Sequence, residues 1–191
     1  MSSSQQKFSI YYPHELENFD RLSASFDCGN LMLNYYLTSN ALTDTEHTTW
    51  IFVNSDKTQI IAYISFQCSG LTTRTHNQKQ WHITSPAIQI NFFALDSQYH
   101  HRKYPIAVES INYSSFIFKY ALNLLIDIAH YTIAAKYITV YAVPGSENFY
   151  RRNYFRTYAE FTTASVDKIK TAIADNWDFI DHCLPMYLAI N

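Results

Sequence analysis

The stretch from Phe116 to Ala135 constrains the fold of this chain more than any other segment. It is the most apolar run in the sequence, yet Lys119, Asn123 and Asp127 recur within it every four residues. That spacing places the three polar side chains on one face of an α-helix, so the other faces are apolar and need burial. One polar stripe on an apolar helix predicts a helix packed inside a layered domain, not a membrane span.

Runs of β-branched and aromatic residues alternate with helical patterns along most of the chain, which indicates a mixed α/β layer protein. The predicted strands are 8–12, 48–53, 60–68, 87–96, 137–143, 154–161 and 186–190. The predicted helices are 13–21, 30–42 with Asp27 as its cap, a long helix begun by Ser114 or Ser115, 146–153 and 166–174. Residues 54–57 are typical of a hairpin turn, whereas 70–85 and 97–113 are polar and predict loops.

No repeat or domain boundary interrupts this pattern, so residues 1–191 are interpreted as a single domain. Hydrophobic residues make up 48% and charged residues 16% of the chain, which excludes a disordered tail or a solvated helical rod. Aromatic residues are in excess, with 16 Tyr and 13 Phe, whereas there are only three Gly.

The formal net charge of −2 is not a nucleic-acid-binding signature. Residues 100–156 nevertheless carry seven Lys and Arg against three Asp and Glu, which leaves room for a local phosphate site. The three cysteines are far apart and form no CxxC pair, so neither a zinc ribbon nor a disulfide framework is predicted. A reducing cytoplasm suits such a chain, and its first residues lack the pattern of a signal peptide.

The common catalytic signatures are missing from the sequence. It contains no GxSxG, Walker A, GxGxxG or HExxH motif. Eight histidines are present, but the close pairs have no nearby cysteine or set of acidic ligands, so we expect no metal site.

A candidate anion site follows the strand at 87–96. The loop after it carries His100, His101, Arg102 and Lys103, and a serine-started helix comes next. A strand–loop–helix arrangement directs unpaired backbone N–H groups toward the strand end, and basic side chains there favour a ligand such as a pyrophosphate. If the strand at 137–143 is a parallel neighbour, Tyr150 on the following short helix lies beside the same cleft.

Four segments together, in this order, resemble the GNAT N-acyltransferase superfamily, and most closely its acetyltransferase toxins of toxin–antitoxin modules. They are FDCGNLMLNYYL (26–37), NFFALDSQYHHRKY (91–104), YITVYAVPGSENFYRRNYF (137–155) and CLPMYLAI (183–190). NFYRRNYF matches the family's FY-x-x-x-GF segment, with Tyr154 where glycine is usual.

The resemblance implies a mixed, mostly antiparallel sheet with helices on both faces, splayed between strands 87–96 and 137–143 to hold acetyl-CoA. Backbone groups of Phe93, Ala94 and Leu95 would bind the pantetheine arm and polarise the thioester carbonyl, and Asn148 would contact the cofactor. Tyr150 would act as the general acid that protonates the departing thiolate, because its pKa lies above that of a thiol.

The chain departs from the family in its phosphate loop, which usually reads Q/R-x-x-G-x-G/A. The matching stretch has no glycine, so the side chains of a basic and serine-containing set would have to replace backbone contacts. This set comprises His101, Arg102, Lys103, Ser114 and Ser115. No acidic residue precedes Asp96 on the central strand, so the family's usual general base is also missing.

Two hypotheses remain open. The first is a cytoplasmic acetyl-CoA-dependent N-acetyltransferase acting on a primary amine, with charged tRNA as the toxin-like acceptor. The second is a catalytically degenerate GNAT-fold protein that binds another ligand or an antitoxin-like partner, and a homodimer is compatible with either. Tyr150 is alternatively a core aromatic, Arg102 and Lys103 are alternatively loop-solubilising charges, and Arg151, Arg152 and Arg156 are either phosphate binders or a solvated face.

Overall fold

The computed structural model describes residues 8–74, 81–105, 110–157 and 183–190. The strands are β1 Phe8–Tyr11, β2 Thr48–Asn54, β3 Ile60–Arg74, β4 Trp81–Leu95, β5 Tyr137–Ala142, β6 Arg156–Thr157 and β7 Leu184–Ala189. The α-helices are α1 Phe19–Ala24, α2 Leu31–Tyr35, α3 Tyr113–Ile128 and α4 Glu147–Arg152. Short 3-10 turns cover Pro13–Glu15 and Ser97–Tyr99, and π-helical turns extend α2 through Tyr36–Asn40 and α3 through Ala129–Ile133.

The seven strands form a sheet in the order β1-β2-β3-β4-β5-β7-β6. β1 with β2, β2 with β3, β5 with β7 and β6 with β7 pair antiparallel, whereas β4 and β5 pair parallel. The parallel register joins Ala87 to Tyr137 and ends at Ile90 and Val140, although β4 itself continues to Leu95. The predicted fold class, a mixed α/β protein with a mostly antiparallel sheet, is confirmed.

Two compact units make up the chain, Met1–Gln67 with Asn91–Ala121, and Cys68–Ile90 with Leu122–Asn191. In the first unit, the apolar sides of α1 and α2 pack with residues of β2, β3 and β4 in one core, which includes Leu22, Leu37, Ile51, Tyr63 and Ala94. In the second, β4, β5 and β7 contribute buried Ile88, Ile138, Val140 and Met186. The single-domain interpretation of residues 1–191 stays a prediction.

The long helix α3 has the predicted polar stripe. Lys119, Asn123 and Asp127 are exposed, whereas Ile117 and Leu125 are fully buried. No helix among the described residues is both long enough and apolar enough to cross a membrane. The predicted serine cap is wrong, because the helix already begins at Tyr113, where Phe116 N donates to Asn112 O at 2.9 Å. Ser114 and Ser115 therefore lie in the first turn.

The cap of α2 also differs from the prediction. Asn30, not Asp27, caps this helix, and its side-chain oxygen accepts hydrogen bonds from Met32 N and Leu33 N. Asp27 Oδ1 instead accepts hydrogen bonds from Gly29 N and the Asn34 amide, at 2.8 and 2.7 Å.

The largest error of the sequence prediction is the loop at 70–85. β3 extends to Arg74 and β4 begins at Trp81, because the threonines, isoleucine and tryptophan of this polar stretch favour extended backbone. The predicted helix at 13–21 is instead a 3-10 turn followed by α1 at Phe19. The predicted helix at 166–174 and most of the predicted strand 154–161 lie outside the described residues.

Candidate functional site

The end of β4 is held by a buried carboxylate. Asp96 is 1% exposed, and its Oδ1 accepts a hydrogen bond from Gln98 N at 2.9 Å, which starts the 3-10 turn after the strand. Its Oδ2 accepts from Asp27 N at 3.3 Å, and Asp96 N donates to Ile61 O of β3 at 2.9 Å. These bonds fix where the loop leaves the sheet.

The same loop is tied to the chain at two further points. Ser97 N donates to Asp27 O at 2.7 Å, and His100 Nε2 lies 3.0 Å from Leu95 O. Because a carbonyl oxygen only accepts hydrogen bonds, Nε2 must carry the proton. The carbonyl of Leu95, one of the predicted ligand-binding backbone groups, is therefore already engaged by His100. Ala94 and Leu95 are buried and Phe93 is half-buried, with its ring 4.9 Å from that of Phe118.

His101 adopts the left-handed backbone conformation that glycine favours, with φ of 58°. Counting the family's Q-x-x-G-x-G pattern from Gln98 places its first glycine at His101 and its second at Lys103. The loop thus keeps a left-handed turn at the first glycine position without a glycine. His101, Arg102 and Lys103 are all exposed, and Lys103 Nζ donates to Ser110 O at 3.2 Å.

The loop closes onto the first turn of α3. Tyr113 N donates to Arg102 O at 3.0 Å, which brings the basic residues beside the helix start. Among the described residues, the backbone amides of Ser114 and Ser115 have no acceptor. Unpaired amides at the positive end of a 16-residue helix, next to Arg102 and Lys103, suit an anionic ligand.

In the second unit, α4 ends in a Schellman motif that contains Tyr150. Tyr154 N donates to Arg151 O and Phe155 N donates to Tyr150 O, each at 3.1 Å, and Tyr154 has φ of 68°. The ring of Phe155 packs 5.7 Å from that of Tyr150, which is the apolar contact expected of this motif. The FY-x-x-x-GF pattern is therefore a helix terminus, and Tyr154 takes the left-handed position of its glycine.

Tyr150 is buried among aromatic rings, with Phe149 5.3 Å away on its other side. Burial, and to a smaller degree the neighbouring Cys183, raises the pKa of the Tyr150 hydroxyl above its ordinary value of 10. Tyr150 therefore remains protonated at neutral pH. Asn148, Arg151, Arg152 and Arg156 are exposed.

A buried polar cluster, absent from the sequence predictions, lies beneath α2 in the first unit. The Tyr36 hydroxyl donates to Asp44 Oδ2 at 2.9 Å and lies 2.8 Å from Thr49 Oγ1 and 3.0 Å from Ser65 Oγ. The same Asp44 oxygen is 2.7 Å from His47 Nδ1. Burial raises the pKa of the Asp44 carboxyl, but hydrogen bonds from His47, Tyr36 and two backbone amides outweigh it and leave this pKa below its ordinary 3.8.

Burial is also the main reason why the pKa of Tyr36 is raised. In the sequence, this cluster could have been recognised from Asp44 and His47, which stand three residues apart immediately before β2. Within the described residues, no group of His, Cys, Asp and Glu side chains is arranged to hold a metal ion.

Comparison with known proteins gives a match at the level of structure only. No family model matches the sequence, and no curated protein does. A tyrosine-to-phenylalanine mutant of the toxin AtaT, bound to acetyl-CoA and the C-terminus of the antitoxin AtaR, superposes with a TM-score of 0.63 at 13% identity, covering 97% of this chain and 94% of that one. The KacTA–DNA complex superposes with a TM-score of 0.64 at 13% identity, covering 96% and 94%.

A third structure, AtaT complexed with acetyl-methionyl-tRNAfMet, superposes with a TM-score of 0.62 at 16% identity, covering 78% of this chain and 87% of that one. At such identities the match establishes the fold. The chain has the GNAT acyltransferase fold. The same fold is found in the toxins AtaT and KacT.

Proposed function

We propose that this protein is an acetyl-CoA-dependent N-acetyltransferase. The observation that carries the proposal is the retention of two left-handed turns, at His101 and Tyr154, where the family's two motifs place glycine. Each costs a residue with a Cβ atom about 1–2 kcal/mol. The loop after β4 and the end of α4 therefore keep the local backbone geometry of the family's two motifs, which supports a retained cofactor site.

The phosphate loop would bind the pyrophosphate of acetyl-CoA through His101, Arg102 and Lys103 and the amides of Ser114 and Ser115. Phe93 and Ala94 would supply backbone groups for the pantetheine arm. Leu95 would contribute through the backbone groups that are not bonded to His100. Asn148 would contact the cofactor from α4. Charge-assisted bonds from Arg102 and Lys103 would replace the shorter backbone contacts that glycines allow.

The reaction is direct transfer of the acetyl group. The nitrogen of the acceptor amine forms a bond to the thioester carbonyl carbon, and the C–S bond breaks with its electron pair left on sulfur. Tyr150 gives its proton to that sulfur and recovers one from the nitrogen as the amide forms. Backbone N–H groups stabilise the oxyanion in between.

As the acceptor class we propose an amine carried on charged tRNA, with an antitoxin-like protein as partner and the cytoplasm as the compartment. Support comes from the fold neighbours, solved with acetyl-methionyl-tRNAfMet and with AtaR. The exposed Arg151, Arg152 and Arg156 offer the phosphate contacts that RNA binding requires. These local positive charges act against an overall net charge of −2.

Titration of the purified chain with acetyl-CoA by calorimetry tests the proposal. Micromolar affinity is expected, and the Tyr150→Phe variant should keep this affinity while losing about 10²–10⁴-fold in kcat. Expression of the wild type should arrest growth, whereas Tyr150→Phe should not. If millimolar acetyl-CoA does not bind, the proposal is wrong, and the alternative of a degenerate GNAT-fold binding protein is supported by the side chains that stand at the glycine positions of the loop.

A further inference from the structure

The buried cluster beneath α2 is organised around the carboxylate of Asp44. Its Oδ1 accepts the backbone amides of Glu46 and His47, at 2.9 and 3.0 Å. Its Oδ2 accepts the Tyr36 hydroxyl and His47 Nδ1, at 2.9 and 2.7 Å. Four donors use the four lone-pair sites of the carboxylate, so Asp44 has no capacity left for a ligand of its own. Its role is to orient the groups that donate to it.

These contacts determine which nitrogen of a neutral His47 ring carries the proton. Since the Asp44 oxygen only accepts hydrogen bonds, Nδ1 carries the proton, and the neutral ring presents a lone pair on Nε2. Within the described part of the chain, Nε2 has no partner, and the His47 side chain is 21% exposed. An imidazole held by a carboxylate through one nitrogen, with the other nitrogen open to solvent, has the geometry of a general base.

The cluster is connected to the end of β4 through Tyr36. The hydroxyl of Tyr36 bonds to Thr49 on β2 and Ser65 on β3, and its ring centroid lies 4.5 Å from that of Phe92. Phe92 directly precedes the segment to which the proposed function assigns the pantetheine arm, and all of these residues belong to the first unit. The cluster is thus fixed in position relative to that strand.

We propose that His47 is the general base of the acetyl transfer, with Asp44 and Tyr36 as positioning residues that act through it. The inference rests on the proposed function. His47 Nε2 takes one proton from the ammonium group of the acceptor, which exposes the nitrogen lone pair that then bonds to the thioester carbon. After transfer, His47 releases this proton to water. His47 thereby supplies the general base that is missing from β4, where no acidic residue precedes Asp96.

The test compares variants that separate basicity from structure. In His47→Asn, the amide nitrogen stands near the position of Nδ1 and still donates to Asp44, but no proton acceptor replaces Nε2. We expect kcat/KM at neutral pH to fall by about 10²–10⁴-fold while the melting temperature stays close to that of the wild type. His14→Asn, at an exposed histidine of the same unit, serves as the matched control and should leave kcat/KM unchanged.

One further readout belongs to the base alone. Added imidazole should restore part of the turnover of His47→Ala. The substrates are radiolabelled acetyl-CoA and aminoacylated total tRNA.

The outcomes distinguish the two proposals. If the wild type transfers no acetyl group, the proposed function fails. If the wild type is active and His47→Asn is equally active, the base assignment is wrong. It is also wrong if His47→Asn loses activity only in proportion to its folded fraction, or if nitrogen NMR of the wild type finds the His47 proton on Nε2 at neutral pH.

Discussion

The Schellman motif at the end of α4 makes a quantitative prediction at Tyr154. This residue has φ of 68° and a side chain that is 76% exposed. Replacing it by alanine removes the side chain but keeps the unfavourable left-handed backbone, whereas glycine removes both. The left-handed conformation costs a residue with a Cβ atom about 1–2 kcal/mol. Glycine gives back about 0.4–1 kcal/mol through the greater freedom of its unfolded chain.

The Tyr154→Gly variant should therefore be more stable than Tyr154→Ala by about 0.5–1 kcal/mol, or about 1–4 °C in melting temperature for a chain of this size. Urea unfolding followed by circular dichroism measures the difference. Asn123 is the matched control, because it is exposed inside α3, where glycine should be less stable than alanine by about 1 kcal/mol. If glycine is no better than alanine at 154, the left-handed helix terminus and the interpretation of the FY-x-x-x-GF motif built on it are refuted.

Three further predictions concern the candidate site. Replacing Arg102 and Lys103 together by alanine should weaken acetyl-CoA binding by at least about 10-fold, since charge-assisted bonds contribute about 1.5–3 kcal/mol each. An unchanged affinity in calorimetry would contradict this prediction. Because burial raises the pKa of Tyr150, kcat should show no alkaline loss from its ionisation below pH 10, and a fall near pH 9 in the wild type that Tyr150→Phe lacks would argue against it. Asp44→Asn should destabilise the protein by about 1–3 kcal/mol at pH 7. The pKa of Asp44 in the folded protein lies below its ordinary 3.8, so the stability difference between wild type and variant should persist above pH 3.8. It should shrink as the pH falls through the pKa of the folded protein. A stability difference that grows in acid would contradict the assignment.

The sequence predicts well the elements in which buried and exposed residues alternate at a regular spacing. The four-residue spacing of Lys119, Asn123 and Asp127 identified α3 and its exposed face, and the turn at 54–57 placed the β2–β3 hairpin. Polarity alone misled at 70–85, because β3 continues to Arg74 and β4 begins at Trp81 although this stretch has no apolar pattern. The cap of α2 at Asn30 and the start of α3 at Tyr113 were missed because several polar residues near each helix start could have served as caps.

The candidate site was predictable where one short segment contains the chemistry. Tyr150 follows from the FY-x-x-x-GF resemblance, although only the structure shows that the pattern is a helix terminus. The cluster around Asp44 was not predictable in this way. Tyr36 and Ser65, which meet there, are 29 residues apart in sequence, so their contact depends on how α2 lies over the sheet.

The bonds at Asp96 have a mechanical consequence. Asp27 N donates to the Asp96 carboxylate, and Ser97 N donates to Asp27 O. Two hydrogen bonds therefore connect the backbone before α2 to the backbone after β4. Neither segment can open without loosening the other. Any molecule that stiffens the turn around His101 should therefore slow deuterium uptake at Asp27, more than sixty residues earlier in the chain.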